Sequence, residues 1–108
     1  MTDTQFNFCV RECANYTDLD AYVSDLALSA IWGDNAPAAT IRVGLRSIYT
    51  AVSRTPKEIV AASGLSQAAF AERYCIPKRT VEDWCRGVAK CPLYTRLLLQ
   101  RAEGLLQV

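Results

Sequence analysis

Apolar residues recur at helical intervals along most of this 108-residue chain. Leu19, Tyr22, Val23, Leu26 and Ala30 fall on one helical face, and Gly33 with Asp34 ends the run. Thr17 and Asp20 form a T-x-x-D start, a capping box with the shorter acid, which predicts where that helix begins. Beyond the loop "GDNAPAAT", Ile41, Leu45, Ile48 and Val52 share a second face, with Arg42 and Arg46 beside it. The stretch "IRVGL" also alternates as a short strand would, but the longer helical period decides for helix. "TPKEIVAASG" then carries the signals of a whole helix. Thr55 caps it, Pro56 takes the first position, Glu58 completes the box, and Gly64 stands where a left-handed terminator is wanted. Ser66 caps the next helix, which turns Phe70, Ala71 and Tyr74 inward until "CIP" breaks it. The residue before Pro77 is pushed out of the helical region. Residues 78–86 predict a further helix with Val81 and Trp84 inside and Gly87 at its end. Pro92 opens the last helix, with Leu93, Leu97, Leu98 and Ala102 or Leu105 as its inner stripe. No internal repeat is visible. The pattern is all-α.

Composition sets the class. At this length one domain is expected and two independent cores are improbable. The chain is 51% hydrophobic and 21% charged, as in ordinary soluble globular proteins. No apolar run reaches the roughly 18–20 residues that span a membrane, so no membrane partner is expected. "MTDTQFNFCV" has neither a basic nor a long apolar region of the kind that directs export, which makes the cytoplasm the expected location.

Five cysteines without an export signal imply a reducing compartment and free, mostly packed thiols. Cys9 and Cys13 lie one helical turn apart, and Cys75, Cys85 and Cys91 are near enough in sequence to gather around the turn before Pro77. A zinc site would favour C-x-x-C spacings and often histidine, and this chain has no histidine. Its absence also removes the commonest general base. Glycine-rich phosphate loops, paired-carboxylate motifs and G-x-S-x-G turns are missing as well. The expectation is a protein without catalysis, cofactor or metal.

Net charge is only +1, yet it is unevenly placed. Residues 1–41 hold one basic and six acidic residues, whereas residues 42–108 hold eleven basic and five acidic ones. Such asymmetry points to a polyanion partner for the basic half, or to mutual attraction within one fold. The segment "SQAAFAERYCIPKRTVEDWC" sharpens the choice. It reads as two short helices joined by about three residues centred on positions 75–77. Helices joined so tightly cross steeply, and the second projects one face away from the core. That face carries Lys78, Arg79, Glu82, Asp83 and Arg86. A projecting helix of this kind is what the major groove of double-stranded DNA admits.

The residues Leu65, Ser66, Gln67, Ala71, Ile76, Thr80, Val81, Trp84 and Gly87 follow in one register the pattern of a known family. Over residues 56–103 the chain resembles the Cro/repressor-type, or XRE-like, helix-turn-helix DNA-binding proteins. The resemblance implies a lambda repressor-like helix-turn-helix bundle in residues 55–108. Residues 1–54 would then be an N-terminal helical extension of the same domain, packing on it, dimerising it or binding another protein through its acidic face. It also implies a DNA-binding set of Ser66, Gln67, Lys78, Arg79, Thr80, Glu82, Asp83, Arg86 and Lys90. Gln67 would sit by a phosphate, Lys78, Arg79, Glu82 and Asp83 would meet base edges or flanking phosphates, and Arg86 and Lys90 would hold the backbone beyond. Phe70, Ala71, Ile76, Val81 and Trp84 would be core. The chain departs from the pattern at Cys75, where the family has glycine at positive φ; another residue there costs about 1 kcal/mol. It departs again in placing acids at 82 and 83.

A bland account of the 78–86 face is a solvated ladder of i,i+4 pairs: Lys78 with Glu82, Arg79 with Asp83, and Glu82 with Arg86. Each is worth about 0.2–0.5 kcal/mol. Two cations in the first turn, however, oppose the helix dipole at roughly 0.3–1 kcal/mol each. An anion arriving at that end is the simpler account. The leading expectation is a sequence-specific transcriptional regulator, acting as a homodimer on two half-sites about one helical turn apart. The alternative is a protein-interaction module of the same shape, serving as inhibitor, adaptor or antitoxin.

Overall fold

The computed structural model describes residues 1–34 and 36–108, and every regular element among them is helical. In order these are α1 (Asp3–Glu12), α2 (Leu19–Ala27), α3 (Ala38–Ser53), α4 (Pro56–Ser63), α5 (Gln67–Arg73), α6 (Lys78–Arg86) and α7 (Leu93–Ala102). Single 3₁₀ turns occupy Cys13–Asn15 and Ala30–Trp32. The chain is all-α, and the alternating "IRVGL" segment lies inside α3. None of these helices is long and apolar enough to cross a membrane. Two compact units are formed, one by Met1–Ser53 with Leu105–Val108, the other by Arg54–Gly104.

In the first unit α1 starts at a capping box. The Thr2 hydroxyl accepts from the Gln5 amide (3.1 Å), and the Gln5 side chain accepts from the Thr2 amide (2.8 Å). The cap of α2 falls one residue later than its sequence suggests. Asp18, not Thr17, accepts from the amide of Ala21 at 2.9 Å, because a carboxylate there already reaches the third helical N–H. The same helix stops at Leu28, which leaves Ala30 exposed in a separate turn closed by Gly33 at φ 75°. Tyr22, Val23, Leu26, Ile41, Leu45, Ile48 and Ala51 make the core, with Leu106 from the C-terminal tail. The fully buried Tyr22 ring meets Tyr16 edge-on and Tyr49 at a tilt, with centroids 5.6 and 4.9 Å away. Its hydroxyl donates to the Cys9 carbonyl at 2.8 Å, so the polar tip is satisfied inside.

The second unit begins as its sequence dictates. Thr55 and Glu58 close a capping box around Pro56, and Gly64 ends α4 in the left-handed region. Ser66 caps α5 by accepting from the amide of Ala69 at 3.1 Å. α5 ends in a Schellman turn in which the Ile76 amide donates to the Ala71 carbonyl (2.9 Å) and the Cys75 amide to that of Glu72 (3.3 Å). Cys75 takes the left-handed position, φ 55°, where a glycine is normally needed. The core comprises Ile59, Val60, Phe70, Ala71, Val81 and Leu99, with Ile76 and Trp84 partly buried against it.

The predicted inner stripe of α7 is corrected. Leu98 is 64% exposed and Leu93 lies at the surface, whereas Leu99 and the fully buried Gln100 point inward. Ala102 is exposed at the helix end, and Leu105 already belongs to the tail of the first unit. The reason is polar compensation. Arg54 donates to the Gln100 amide oxygen at 3.0 Å, and Arg96 donates to the Arg54 carbonyl at 2.9 Å. A buried amide satisfied in this way displaces a leucine from the inner face.

Candidate functional site

α6 opens with Lys78 and Arg79 directly after Pro77, which offers no side-chain cap. The first amides of the helix and two cations therefore stand together at one end, where the dipole is positive. Farther along, Asp83 organises the face. Its Oδ1 accepts from Arg79 Nε at 3.2 Å and from Arg86 Nη2 at 2.9 Å. Arg86 chiefly, and Arg79 after it, hold the Asp83 carboxyl below the usual carboxylate range against a smaller opposing effect of desolvation. Of the three ladder pairs expected from spacing, Arg79–Asp83 forms. Among the described residues Lys78 and Glu82 make no ion pair, and Arg86 bonds to Asp83 three residues back rather than to Glu82. A single aspartate shared by two guanidiniums replaces the ladder.

Gln67, from the first turn of α5, joins Arg79, Glu82 and Arg86 in lining an open polar depression of about 290 Å³. Four of the nine residues singled out by sequence thus line one concavity, and Asp83 ties two of them. Lys78 and Lys90 are exposed outside this lining, while Thr80 is half-buried. Ser66 has the local duty of capping α5. The side chains of Arg79 and Arg86 remain 79% and 59% exposed. A guanidinium has five N–H donors, and Arg79 spends its Nε on Asp83, leaving both terminal nitrogens directed elsewhere. The depression suits a flat, acceptor-rich edge or a phosphate, with Glu82 and the Gln67 amide adding acceptors.

Glu103 supports this region and was legible only as one charge among many. Its side chain, 7% exposed, accepts from Arg73 Nη1 at 2.8 Å and from the Tyr74 hydroxyl, which ties the end of α5 to the end of α7. The hydrogen bond from Tyr74, followed by that from Arg73, keeps the Glu103 carboxyl below its ordinary range. No local signal exposes such a partner, because the contacts span about thirty residues.

The cysteines divide by burial. Cys9 and Cys13 are buried in the first unit, and the Cys13 thiol donates to the Cys9 carbonyl at 3.4 Å. Burial, helped by the neighbouring Cys13 and Glu12, pushes the Cys9 thiol up to about 11. Cys85 and Cys91 line a small void in the second core, while Cys75 is exposed at the turn and is not part of that lining. Among the described residues, no group of three or more cysteines and acids is arranged to hold a metal ion.

Compared with protein-family models, curated proteins and solved structures, the chain matches none.

Proposed function

We propose that the chain is a sequence-specific, double-stranded DNA-binding transcriptional regulator of helix-turn-helix type, with α6 as its major-groove recognition helix. In this reading α5 and α6 are the two motif helices and the Cys75 turn joins them. The protein works as a homodimer on two half-sites, without catalysis or cofactor. The observation that carries the reading is the convergence of Gln67, Arg79 and Arg86 on one open depression, with Asp83 holding both arginines.

The acids do not decide against DNA. An exposed ion pair such as Arg79–Asp83 contributes about 0–1 kcal/mol. A bidentate arginine–guanine contact is worth about 1–3 kcal/mol of discrimination, so the groove is the stronger partner for Arg79. Asp83 acts as a brace that sets the arginine rotamers before binding, and Glu82 is placed to accept from cytosine N4. Lys78 and Lys90 supply phosphate contacts.

A second reading, a protein-interaction module of the same shape, is favoured by one observation: Asp83 partly neutralises the two arginines that DNA would need. Selection from a random duplex pool at about 0.15 M salt separates the two. The regulator yields an enriched sequence that Arg79→Ala loses, with a deficit of about 1–3 kcal/mol on the selected site and little change on random duplex. Equal losses on both DNAs contradict a base-reading role for Arg79, and no enrichment with only weak salt-labile binding favours the interaction module.

A further inference from the structure

The first unit contains a larger concavity that the DNA reading leaves unused. It is a cleft of about 490 Å³ lined by Trp32, Pro37, Thr40, Ile41, Val43 and Gly44, with Met1, Gln5 and the tail residues at its rim. That volume falls within the roughly 300–1,000 Å³ of small-molecule sites. We propose that this cleft binds an uncharged, predominantly apolar small molecule.

Three observations define the ligand class. No described side chain lining the cleft is charged, so its walls offer no side-chain partner that would compensate the desolvation of an ion. The polar groups of the wall are largely committed elsewhere. Trp32 donates its indole N–H to the Leu26 carbonyl at 2.7 Å and so offers the cleft its ring. Gln5 donates to the Ile31 carbonyl at 3.0 Å and accepts from the Thr2 amide at 2.8 Å, using both ends of its amide. Thr40 remains for a single polar contact.

Gly44 is the third observation. It lies in the middle of the 16-residue α3, where glycine costs roughly 1 kcal/mol relative to alanine. Close backbone packing does not require it there. A Cβ built on Gly44 would meet only the flexible tip of Met1, at 3.2 Å, and Val108 Cγ1 at 3.8 Å. Both of those residues line the cleft, so the missing methyl leaves room for the Met1 tip and Val108 to pack down onto the cleft floor.

The test uses the full chain and N-phenyl-1-naphthylamine, an uncharged apolar probe whose emission rises on leaving water. The expected result is saturable binding with one equivalent of probe, and amide chemical-shift changes centred on Thr40, Ile41 and Gly44. Gly44→Ala weakens the probe about fourfold by pushing the Met1 tip up into the cleft, while the thermal midpoint stays level or rises. Val43→Lys, at a position 66% exposed and tolerant of charge, abolishes saturable binding at the mouth without unfolding the chain. The proposal is overturned by non-saturable binding, by both folded variants binding like the parent, or by an anionic naphthalene sulfonate binding as well as the neutral probe. It is equally overturned if sedimentation shows chains associating and Val43→Lys dissolving that association, since a second copy would then cover the cleft. None of these readouts involves DNA, so they stand or fall apart from the proposed function.

Discussion

The two units bury their interiors by different means. In the first, the core is hydrocarbon and aromatic: Leu45 and Ile48 are fully buried, and Tyr22 is wedged between two other tyrosines. In the second, six core residues are supplemented by polar ties, Arg54 to Gln100 and Arg73 with Tyr74 to Glu103. The hydrocarbon core leaves an apolar cleft at its edge, and the polar-tied unit presents charge. Short helices bury little area each, so charged and amide side chains complete what leucines do elsewhere. The second unit hangs one of its ties on a titrating carboxylate, Glu103, and is the more sensitive to acid. The buried ties of the first run instead from Tyr22 and Trp32 to backbone carbonyls.

Core truncation sets the scale for this contrast and has the largest expected effect. Phe70→Ala is expected to destabilise the second unit by about 3–5 kcal/mol, and Leu45→Ala the first by about 2–5 kcal/mol. The two tryptophans fall one in each unit, so denaturant titrations of single-tryptophan variants report them separately, Trp32 for the first and Trp84 for the second. A Phe70→Ala loss below about 1 kcal/mol would show the second core to be too loose for the comparison to hold.

Glu103→Gln comes next, at about 1–3 kcal/mol for a shielded carboxylate that accepts two hydrogen bonds. Because the folded carboxyl sits below its ordinary range, its contribution is present above the unfolded value near pH 4.3 and is lost as pH falls through the folded one. The parent protein should therefore lose stability in the second unit on acidification, and the variant should show a shallower acid limb. Superimposable acid limbs would remove Glu103 from the account.

Asp83→Asn tests the brace. It removes one negative charge while keeping an acceptor for Arg79 and Arg86, so random duplex should bind several-fold tighter, with a salt dependence steeper by about one unit. Discrimination between selected and random sites should narrow because an uncharged acceptor holds the two arginines less firmly than a carboxylate does. Unchanged affinity for random DNA would place the α6 face away from phosphates.

The smallest expected effect is a gain. Cys75→Gly relieves a left-handed residue costing about 1 kcal/mol, partly offset by the greater freedom of glycine in the unfolded chain. A rise of about 0.5 kcal/mol in the Trp84-reported transition is expected, and a fall would mean that the thiol does more at the turn than occupy it.

Legibility also differed between the units. The boundaries of α4, α5 and α6 followed from Thr55, Glu58, Gly64, Ser66, Pro77 and Gly87, because capping and termination act within four or five residues. In the first unit α1 is not among the helices expected above, although Thr2 and Gln5 have capping-box spacing and Phe6, Cys9, Val10 and Cys13 keep a helical period. The start of α2 slipped from Thr17 to Asp18, two adjacent residues that can each cap. Within the candidate site, spacing supplied the Arg79–Asp83 pair. The second arginine on the same carboxylate is an i,i+3 contact within α6 that the i,i+4 ladder passes over, whereas the approach of Gln67 depended on how two helices meet.

By itself, then, the order of residues determined the helical class, most caps and stops, and the apolar face of α3, since each depends on interactions a few residues long. Tertiary structure alone decided that α7 turns Gln100 inward and Leu98 outward, that Glu103 secures the end of α5, and that Gly44 floors a cleft. The first two outcomes depend on which distant groups arrive to satisfy a buried donor or acceptor, and the third on where the two ends of the chain pack. A one-dimensional hydrophobic pattern counts the leucines and has no means of counting their partners.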